Sequence, residues 1–409
     1  MQKTLLIAIC LLQSCATFMG LCAADESPGP KYDPETLPKG HEYFDLRDGL
    51  GNCHLKFERE KTGRIAFLGG SITAMNGWRD HTIRYFEERF PDTKFEFISA
   101  GIGSLGSVPH AFRLERDILS SGPVDLLFLE AAVNDASNTA DPAHMLRGME
   151  GVVRHVRAVN PLTDIVQMHF VMPSHMDDYN QGKVPVVIAQ HEKVAAGYGN
   201  VTLNLAQEVT DRINAGEFTW DGDFKNLHPS PFGQQLYANS IQRMTEAAFA
   251  QPLRAKSRPH LMPEAIDPRS YSRGRFGNIA EARIIKGFAL ERAWKPVDKK
   301  GTRAGFVDVP ALVGTEPGDE FEFNFEGTGV GLFITSGPDA GFIEFSIDGD
   351  DYRTTDTFTR WSTGLHLPWA VILDDDLKEG PHTVKVRIAD GHDPKGTGTA
   401  LRVFHLLLN

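Results

Sequence analysis

The alternation of short apolar runs with amphipathic stretches, from Arg64 to about Ala250, restricts the fold of this chain more than any other feature. Five apolar runs predict strands, at residues 64–68, 94–98, 125–129, 164–171 and 200–204. The stretches between them predict helices at residues 82–90, 111–120, 142–159 and 187–198, and a last helix follows Ser230 and Pro231. Because strands that alternate with helices form a parallel sheet covered on both faces, residues 64–251 are predicted to form an α/β domain.

After that domain, the period of the apolar residues changes to two. Four prolines interrupt residues 252–273, which we interpret as a linker. From residue 274 to residue 409, apolar and polar side chains alternate in short runs, as at Phe321, Phe323 and Phe325. The runs end at Gly, Pro or Asp, so we expect a second domain of the β-sandwich type over residues 274–409.

The N-terminal residues predict an exported protein. Residues 1–24 combine Lys3 with an apolar run and end on two alanines, a pattern typical of a secretory signal peptide. A lipoprotein is the alternative, in which Cys15 carries a lipid anchor. No later apolar run approaches the roughly 20 residues of a membrane span. We therefore expect a secreted or periplasmic protein without a membrane span, in which residues 25–63 form an N-terminal extension.

Charge and cysteine content argue against several classes of function. The formal net charge is −12 over 409 residues, which disfavours broad electrostatic binding of nucleic acid. Beyond the signal segment Cys53 is the one remaining cysteine, which rules out an intrachain disulfide and thiolate zinc sites. The spacing of the His and Asp residues between 169 and 178 matches no metal-coordination signature. We expect no metal, no other cofactor and no nucleic-acid partner.

Two sequence blocks supply a candidate nucleophile and a candidate base. Ser71 follows Gly69 and Gly70 directly after the first predicted strand. Ligands of an open parallel sheet bind beyond the carboxyl ends of its strands, so Ser71 is a candidate nucleophile, with an ordinary helix N-cap as the alternative. His228 precedes Pro229 just before the last helix. It is the candidate general base for Ser71, with a structural loop residue as the alternative.

Two further blocks offer hydrogen-bond donors for a developing oxyanion. The glycine-rich segment from Ser99 to Ser107 follows the second predicted strand and presents backbone amides. The segment from Glu130 to Asp135 follows the third strand, and Asn134 in it supplies a side-chain amide. Preorganised donors of this kind are each worth about 3 kcal/mol in acyl transfer.

Together, the four blocks resemble the signature blocks of the SGNH (GDSL-type) hydrolase superfamily over roughly residues 64–250. The resemblance implies a flavodoxin-like three-layer α/β/α fold and metal-independent ester hydrolysis. It implies that Ser71 is the nucleophile and an oxyanion donor through its own amide, that Asn134 is another donor, and that His228 is the base. Where the family has a glycine donor in the second block, this chain offers Ser104 and Gly106, of which we favour Gly106.

The acid that supports His228 departs from the family pattern. The family places this acid three residues before the histidine, where this chain has Lys225. A lysine cannot orient or stabilise an imidazolium ion. We predict Asp223 as the acid, and the alternative is a Ser–His dyad in which a backbone carbonyl orients the imidazole.

The resemblance and the predicted export favour an esterase that removes O-acetyl groups from a polysaccharide or oligosaccharide. Three side chains near the blocks are predicted to bind this acetylated carbohydrate: Trp78, His175 and Tyr179. The second domain resembles carbohydrate-binding jelly rolls, with Trp361 and Trp369 either as stacking residues or as part of its core.

Two alternative functions remain open at this point. One is a lipid or thioester acyl hydrolase on the same scaffold, which the absence of a long apolar lid segment near the blocks disfavours. The other is a catalytically degenerate carbohydrate-binding protein, which Lys225 suggests and the intact Ser71, Asn134 and His228 disfavour.

Overall fold

The computed structural model describes residues 31–409. The predicted signal peptide and the alternative lipid anchor at Cys15 lie outside the described residues. In the part of the chain that the structure describes, no helix combines the length and the apolar character needed to cross a membrane.

A six-stranded sheet forms the centre of the first domain, in the spatial order β1-β6-β5-β4-β2-β3. Its strands are β1 (Phe44–Asp45), β2 (Thr62–Gly69), β3 (Lys94–Gly101), β4 (Leu126–Glu130), β5 (Asp164–Met168) and β6 (Val201–Leu203). Strands β2 to β6 run parallel, and β1 pairs antiparallel with β6 at one edge. The chain order of the parallel strands confirms the predicted flavodoxin-like sheet, whose switch point lies between β2 and β4.

Helices cover both faces of this sheet. The α-helices of the described residues are α1 (Gly51–Leu55), α2 (Ser71–Ala74), α3 (Trp78–Arg89), α4 (Ser107–Asp117), α5 (Ala132–Ser137), α6 (Pro142–Val159), α7 (Pro173–Asn180), α8 (Val186–Tyr198), α9 (Leu205–Asn214) and α10 (Pro231–Phe249). Successive residues of each central strand point to opposite faces, so Phe67 and Phe128 pack under α3 and α10, whereas Leu68 and Leu127 pack under α4 and α6. The result is the three-layer α/β/α arrangement.

Helices α3 and α4 begin four residues before their predicted starts. Carboxylates cap both helices: Asp80 accepts a hydrogen bond from the Gly77 amide at 2.8 Å, and Asp135 accepts one from the Ser107 amide at 2.8 Å. The first turn of each helix is therefore stabilised by capping. The spacing of the apolar residues gives no sign of this turn, so the helices were predicted to start later. The predicted start of α10 is confirmed, since the Ser230 hydroxyl caps it.

The second domain consists of two antiparallel sheets packed face to face. Its strands are β7 (Arg275–Gly277), β8 (Arg283–Lys286), β9 (Ala289–Trp294), β10 (Val309–Gly314), β11 (Glu320–Gly327), β12 (Val330–Ser336), β13 (Phe342–Ile347), β14 (Arg353–Asp356), β15 (Leu367–Asp374), β16 (Gly380–Ile388) and β17 (Leu401–Leu408). One sheet has the order β15-β12-β17-β10-β9 with β7 beside β17, and the other has the order β14-β13-β16-β11-β8. Side chains of both sheets share one apolar core, among them Phe321, Phe323 and Phe325, which confirms the predicted sandwich.

The sandwich packs directly on helices α4 and α6 of the first domain. A single buried apolar cluster contains residues of both domains: Phe112 and Met149 from the first, and Phe333, Phe404 and Leu407 from the second. Each large apolar side chain removed from water contributes roughly 1.5–3 kcal/mol, so this shared core holds the two domains together.

The segment between the domains lies against the first domain along its length. No helix or strand occurs between Phe249 and Arg275. The buried Glu150 carboxylate on α6 accepts hydrogen bonds from the amides of Ile266 and Asp267, at 2.6 and 2.9 Å. The proline-rich segment is therefore fastened to the first domain, which fixes where the sandwich begins.

Candidate active site

Ser71 lies at the switch point of the sheet. Strand β2 ends at Gly69, Gly70 turns the chain, and Ser71 is the first residue of α2. The amide of a first helical residue has no intrahelical acceptor, so the Ser71 N–H is free to bind a negative charge. The neighbouring strand β4 ends beside it, in the position where open α/β sheets bind ligands.

The structure brings His228 to Ser71 from a distant part of the chain. The Ser71 hydroxyl oxygen and His228 Nε2 are 2.7 Å apart, although the two residues are separated by 157 positions in the sequence. The His228 amide donates to Asn226 Oδ1 at 2.8 Å, and Ser230 then starts helix α10. A nucleophile and a base at hydrogen-bond distance are the minimum needed for acyl transfer.

Asp223 does not reach His228, so the structure corrects this part of the prediction. Its carboxylate accepts hydrogen bonds from the Thr219 amide and hydroxyl, at 2.8 and 3.0 Å, and closes its own turn. Lys225, where the family has its acid, is exposed and has a φ of 84°. Within residues 31–409, no carboxylate or carbonyl forms a hydrogen bond with His228 Nδ1. The geometry is that of a Ser–His pair.

The environment of His228 favours the neutral imidazole. Burial lowers the pKa of His228 below its usual value of 6.5, and the positive charge of Arg303 lowers it further. No carboxylate among the described residues raises this pKa in return. The imidazole is therefore ready to accept the Ser71 proton at neutral pH, but it is a weaker base than a histidine paired with an aspartate.

Asn134 packs against the turn that carries the nucleophile. A Cβ atom added to Gly70 would lie 1.8 Å from Asn134 Oδ1, so the absence of a side chain at position 70 is what admits Asn134. No side chain within the described residues forms a hydrogen bond with the Asn134 side-chain amide, although only 8% of the residue is exposed. The site thus holds an unengaged amide beside the turn that carries Ser71, and Asn134 stays a candidate oxyanion donor.

The glycine-rich loop is tied to Asn134 through the next residue, Asp135. One Asp135 oxygen accepts from the Ser107 amide at 2.8 Å, and the other is 3.0 Å from His191 Nε2. A Cβ atom on Gly106 would lie 2.0 Å from Asp135 Oδ1. Sequence reasoning did not identify the roles of Asp135 and His191. The one local signal for Asp135 is that it follows Asn134, and no local signal points to His191.

Both candidate amides of the glycine-rich loop are free of protein acceptors within the described residues. Ser104 adopts a left-handed backbone conformation with a φ of 75°, which is strained for a residue with a side chain. Asn138 Nδ2 donates to the Ser104 carbonyl at 2.8 Å and helps to hold this conformation. Ser104 and Gly106 therefore both remain candidates for the second oxyanion donor.

Arg303 is a site residue that the sequence analysis did not find. It belongs to the second domain, between β9 and β10, and its Nη2 donates to the Ser104 hydroxyl at 3.1 Å. No motif surrounds it, and it lies 199 positions after Ser104, whose hydroxyl it contacts. Only the docking of the sandwich onto the first domain brings its guanidinium to the nucleophile.

The three side chains predicted to bind carbohydrate do not line an open cleft. Trp78 is fully buried between Phe67 and Phe170 in the core, so it cannot stack on a sugar. His175 is also buried, and burial lowers its pKa to about 4. The partly buried Tyr179 uses its hydroxyl to accept from Asn204 at 2.8 Å. The predictions for Trp78 and His175 were wrong. Trp78 begins α3 four residues before the predicted start of that helix, and His175 lies in α7, which the sequence pattern did not predict, so no apolar period indicated their burial.

Trp361 and Trp369, two of the three tryptophans of the sandwich, lie near the glycine-rich loop of the first domain. Trp361 is 39% exposed, and its Nε1 donates to Asn138 Oδ1 at 3.3 Å. Trp369 lines a cavity of about 280 Å³ between the domains, together with Ser104 and Gly106. Trp369 packs against the apolar core of the sandwich, whereas Trp361 is not part of that core, and both residues are close to the loop that borders the nucleophile.

The class of the protein follows from this geometry and from its sequence similarity. Residues 67–236 match the GDSL-like Lipase/Acylhydrolase family, and this range contains Ser71, Asn134 and His228. The chain therefore carries a hydrolase domain of the GDSL type, which confirms the resemblance seen in the four blocks. No curated protein sequence is significantly similar to this chain.

Two solved structures are similar to this chain over both of its domains. One is a two-domain esterase active on acetylated mannans, with 20% sequence identity, a TM-score of 0.71, and coverage of 89% of this chain and 98% of that chain. The other is such an esterase co-crystallised with mannopentaose, with 20% identity, a TM-score of 0.69 and the same coverage. At this identity, the similarity establishes the two-domain fold.

The pKa of His228 sets the pH dependence of ester hydrolysis. His228 must be neutral to accept a proton, and its pKa is lowered, so activity should persist to lower pH than for a free imidazole. We expect kcat/KM for p-nitrophenyl acetate to rise through an apparent pKa below 6.5 and to be constant near pH 7. An acid limb centred at pH 7 or above would contradict this environment.

The contact between Gly70 and Asn134 is tested by Gly70→Ala. The added methyl group must displace Asn134, and loss of one oxyanion donor lowers kcat by about 10²–10³-fold. Gly364→Ala is the matched control, since no atom lies within 4 Å of its added Cβ. Steady-state kinetics on p-nitrophenyl acetate measure the effect. A Gly70→Ala enzyme with kcat within twofold of the wild type would show that Asn134 does not stabilise the oxyanion.

Proposed function

We propose that this protein is a carbohydrate O-acetylesterase that works through a Ser71–His228 pair. The observation that carries the proposal is the 2.7 Å distance between the Ser71 hydroxyl and His228 Nε2 at the switch point of the sheet. The acylhydrolase family of residues 67–236 supports ester hydrolysis. The similarity of both domains to an esterase active on acetylated mannans supports an acetylated carbohydrate as the substrate.

In the acylation step, His228 Nε2 takes the proton of Ser71 as the serine oxygen forms a bond to the acetyl carbonyl carbon. The carbonyl electron pair moves to its oxygen, where the Ser71 amide, Asn134 Nδ2 and an amide of Ser104 or Gly106 donate hydrogen bonds. When the tetrahedral intermediate collapses, the bond to the sugar oxygen breaks. That oxygen takes the proton from His228, and acetyl-Ser71 remains.

In the deacylation step, His228 takes a proton from water as the water oxygen attacks acetyl-Ser71. The same donors stabilise the second tetrahedral intermediate, whose collapse releases acetate and returns the proton to Ser71. Without an acid at Nδ1, imidazolium formation is supported less than in a triad, so the oxyanion donors supply most of the stabilisation.

The cavity between the domains is a suitable place for the carbohydrate. It is about 280 Å³ in volume, and it runs from the loop of Ser104 and Gly106 to Trp369 and Asp356 on the sandwich. Apolar residues of both domains and a few polar groups line it, which is the usual composition of a small-ligand site. In this proposal, the sandwich both braces the active site and contributes to carbohydrate binding.

We also propose that the protein acts outside the cytoplasm, as a secreted or periplasmic enzyme. Residues 1–24 support this localisation through their basic residue, apolar run and small residues, and acylated Cys15 is the alternative form. Acetylated polysaccharides are extracellular substrates for such an enzyme.

Ser71→Ala tests the proposed reaction. We expect the wild-type protein to release acetate from at least one of a panel of acetylated mannans and xylans, and Ser71→Ala to lower the rate at least about 10³-fold because the nucleophile is lost. The matched control is Ser120→Ala, which removes an exposed serine hydroxyl from the 3-10 turn that follows α4. Acetate is measured enzymatically.

Two outcomes would favour the other functions. Equal acetate release by the wild type and by Ser71→Ala would favour a binding protein on a hydrolase scaffold. Faster hydrolysis of p-nitrophenyl octanoate than of the acetate would favour a lipid acyl hydrolase, whereas an acetyl-restricted site should reject the longer chain.

A further inference from the structure

The sandwich holds Arg303 rigidly at the edge of the first domain. Two residues before it, the Gly301 carbonyl accepts from the His366 amide at 2.8 Å. Three residues after it, Phe306 is buried in the interdomain cluster, where its ring centroid lies 5.6 Å from that of Phe404. The Phe306 amide also donates to the Arg303 carbonyl at 3.2 Å. The backbone of Arg303 is therefore anchored on both sides.

The guanidinium of Arg303 has no anionic partner among the described residues. Its contact to a side chain is the hydrogen bond from Nη2 to the Ser104 hydroxyl, at 3.1 Å. Its Nε is buried and has no hydrogen-bond acceptor within residues 31–409. A partly buried cation with an unused donor loses hydration without compensation, which is costly unless an anion or a polarised oxygen completes the site.

This unused donor lies beside the nucleophile. A Cβ atom built on Gly103 would be 3.1 Å from Arg303 Nε and 3.6 Å from Ser71 Cβ, so only a residue without a side chain separates the two groups. Arg303 is also the charged group that acts on His228. Both members of the Ser–His pair therefore lie within the field of this one guanidinium.

We propose that Arg303 is a catalytic residue that the second domain supplies to the first, and that its guanidinium donates to the ester oxygen on which negative charge develops. This inference rests on the proposed ester hydrolysis. When Ser71 forms its bond to the carbonyl carbon, the carbonyl electron pair moves to the oxygen, and Arg303 stabilises that charge without giving up a proton. The charge disappears when the bond to the sugar oxygen breaks.

A catalytic Arg303 gives the sandwich a role that packing alone does not explain. The family match ends at residue 236, so the GDSL-type domain alone lacks this cation. Because the oxyanion would be held by neutral amides of the first domain and a guanidinium of the second, correct docking of the two domains becomes a condition for activity. No aspartate stabilises the imidazolium of His228 in the transition state. A cation beside the oxyanion stabilises the negative charge of the same transition state and so offsets part of that loss.

Three variants separate this role from a structural one. Arg303→Met keeps the length of the side chain and removes its charge, Arg303→Lys keeps the charge, and Arg292→Met removes an exposed arginine of β9 as the matched control. With p-nitrophenyl acetate, we expect Arg303→Met to lower kcat by about 10²–10³-fold with little change in KM, and Arg303→Lys to recover part of the loss. Arg292→Met should match the wild type.

The pH profile gives a second readout that a purely structural role would not move. Loss of the positive charge should raise the apparent pKa of His228 in the kcat/KM profile of Arg303→Met but not in that of Arg303→Lys. Burial and the positive charge of Arg303 lower the pKa of His228. The nearby Asp223 carboxylate instead accepts a hydrogen bond from the Thr219 amide. An NMR titration of His228 measures the same shift independently of activity.

The outcomes distinguish this inference from the proposed function. If the wild type hydrolyses the ester through Ser71 but Arg303→Met keeps kcat within twofold and an unchanged His228 pKa, Arg303 is not catalytic and the esterase assignment stands. If Arg303→Met and Arg303→Lys lose activity equally along with thermal stability, Arg303 is structural and the inference is wrong. If the wild type shows no Ser71-dependent hydrolysis, the proposed function itself is wrong.

Discussion

The hydrogen bond between the Ser71 hydroxyl and His228 Nε2 is the interaction on which the account of this protein depends. It exists because two different constraints meet at one place. The parallel sheet reverses its strand order between β2 and β4, which opens a crevice at Ser71. The Ser230 cap fixes the start of α10, and His228, two residues before Ser230, lies in that crevice. Neither constraint alone would place a base at 2.7 Å from a nucleophile.

The charges around this pair differ from those of a Ser-His-Asp triad. No carboxylate among the described residues supports the imidazole, and Arg303 adds a positive charge beside it. Loss of the acid in a triad costs up to about four orders of magnitude in rate. Each well-placed oxyanion donor returns about 3 kcal/mol, or roughly two orders of magnitude. In the proposed mechanism, the oxyanion donors therefore supply more of the transition-state stabilisation than the base does, and both domains contribute such donors.

The sequence predicted those features that leave a local pattern. The period of the apolar residues predicted both domain types, and positions at strand ends singled out Ser71 and Asn134 as candidates. Spacing alone suggested Asp223, but its carboxylate accepts hydrogen bonds from Thr219 within its own turn. Trp78 begins α3 ahead of the residues whose period predicted that helix, so its burial was not visible. Arg303 reaches the site only through the packing of two domains, a long-range contact that no local pattern encodes.

The central claim is that Ser71 is an activated nucleophile, and covalent labelling with a fluorophosphonate tests it most directly. Such a probe reacts with a serine whose hydroxyl is paired with a general base, whatever the natural acyl group or sugar is. Intact-mass measurement of the wild-type protein should show one adduct, and peptide mapping should place it on Ser71. Labelling at another residue, or an adduct of equal yield on Ser71→Ala, would contradict the assignment of the nucleophile and with it the proposed chemistry.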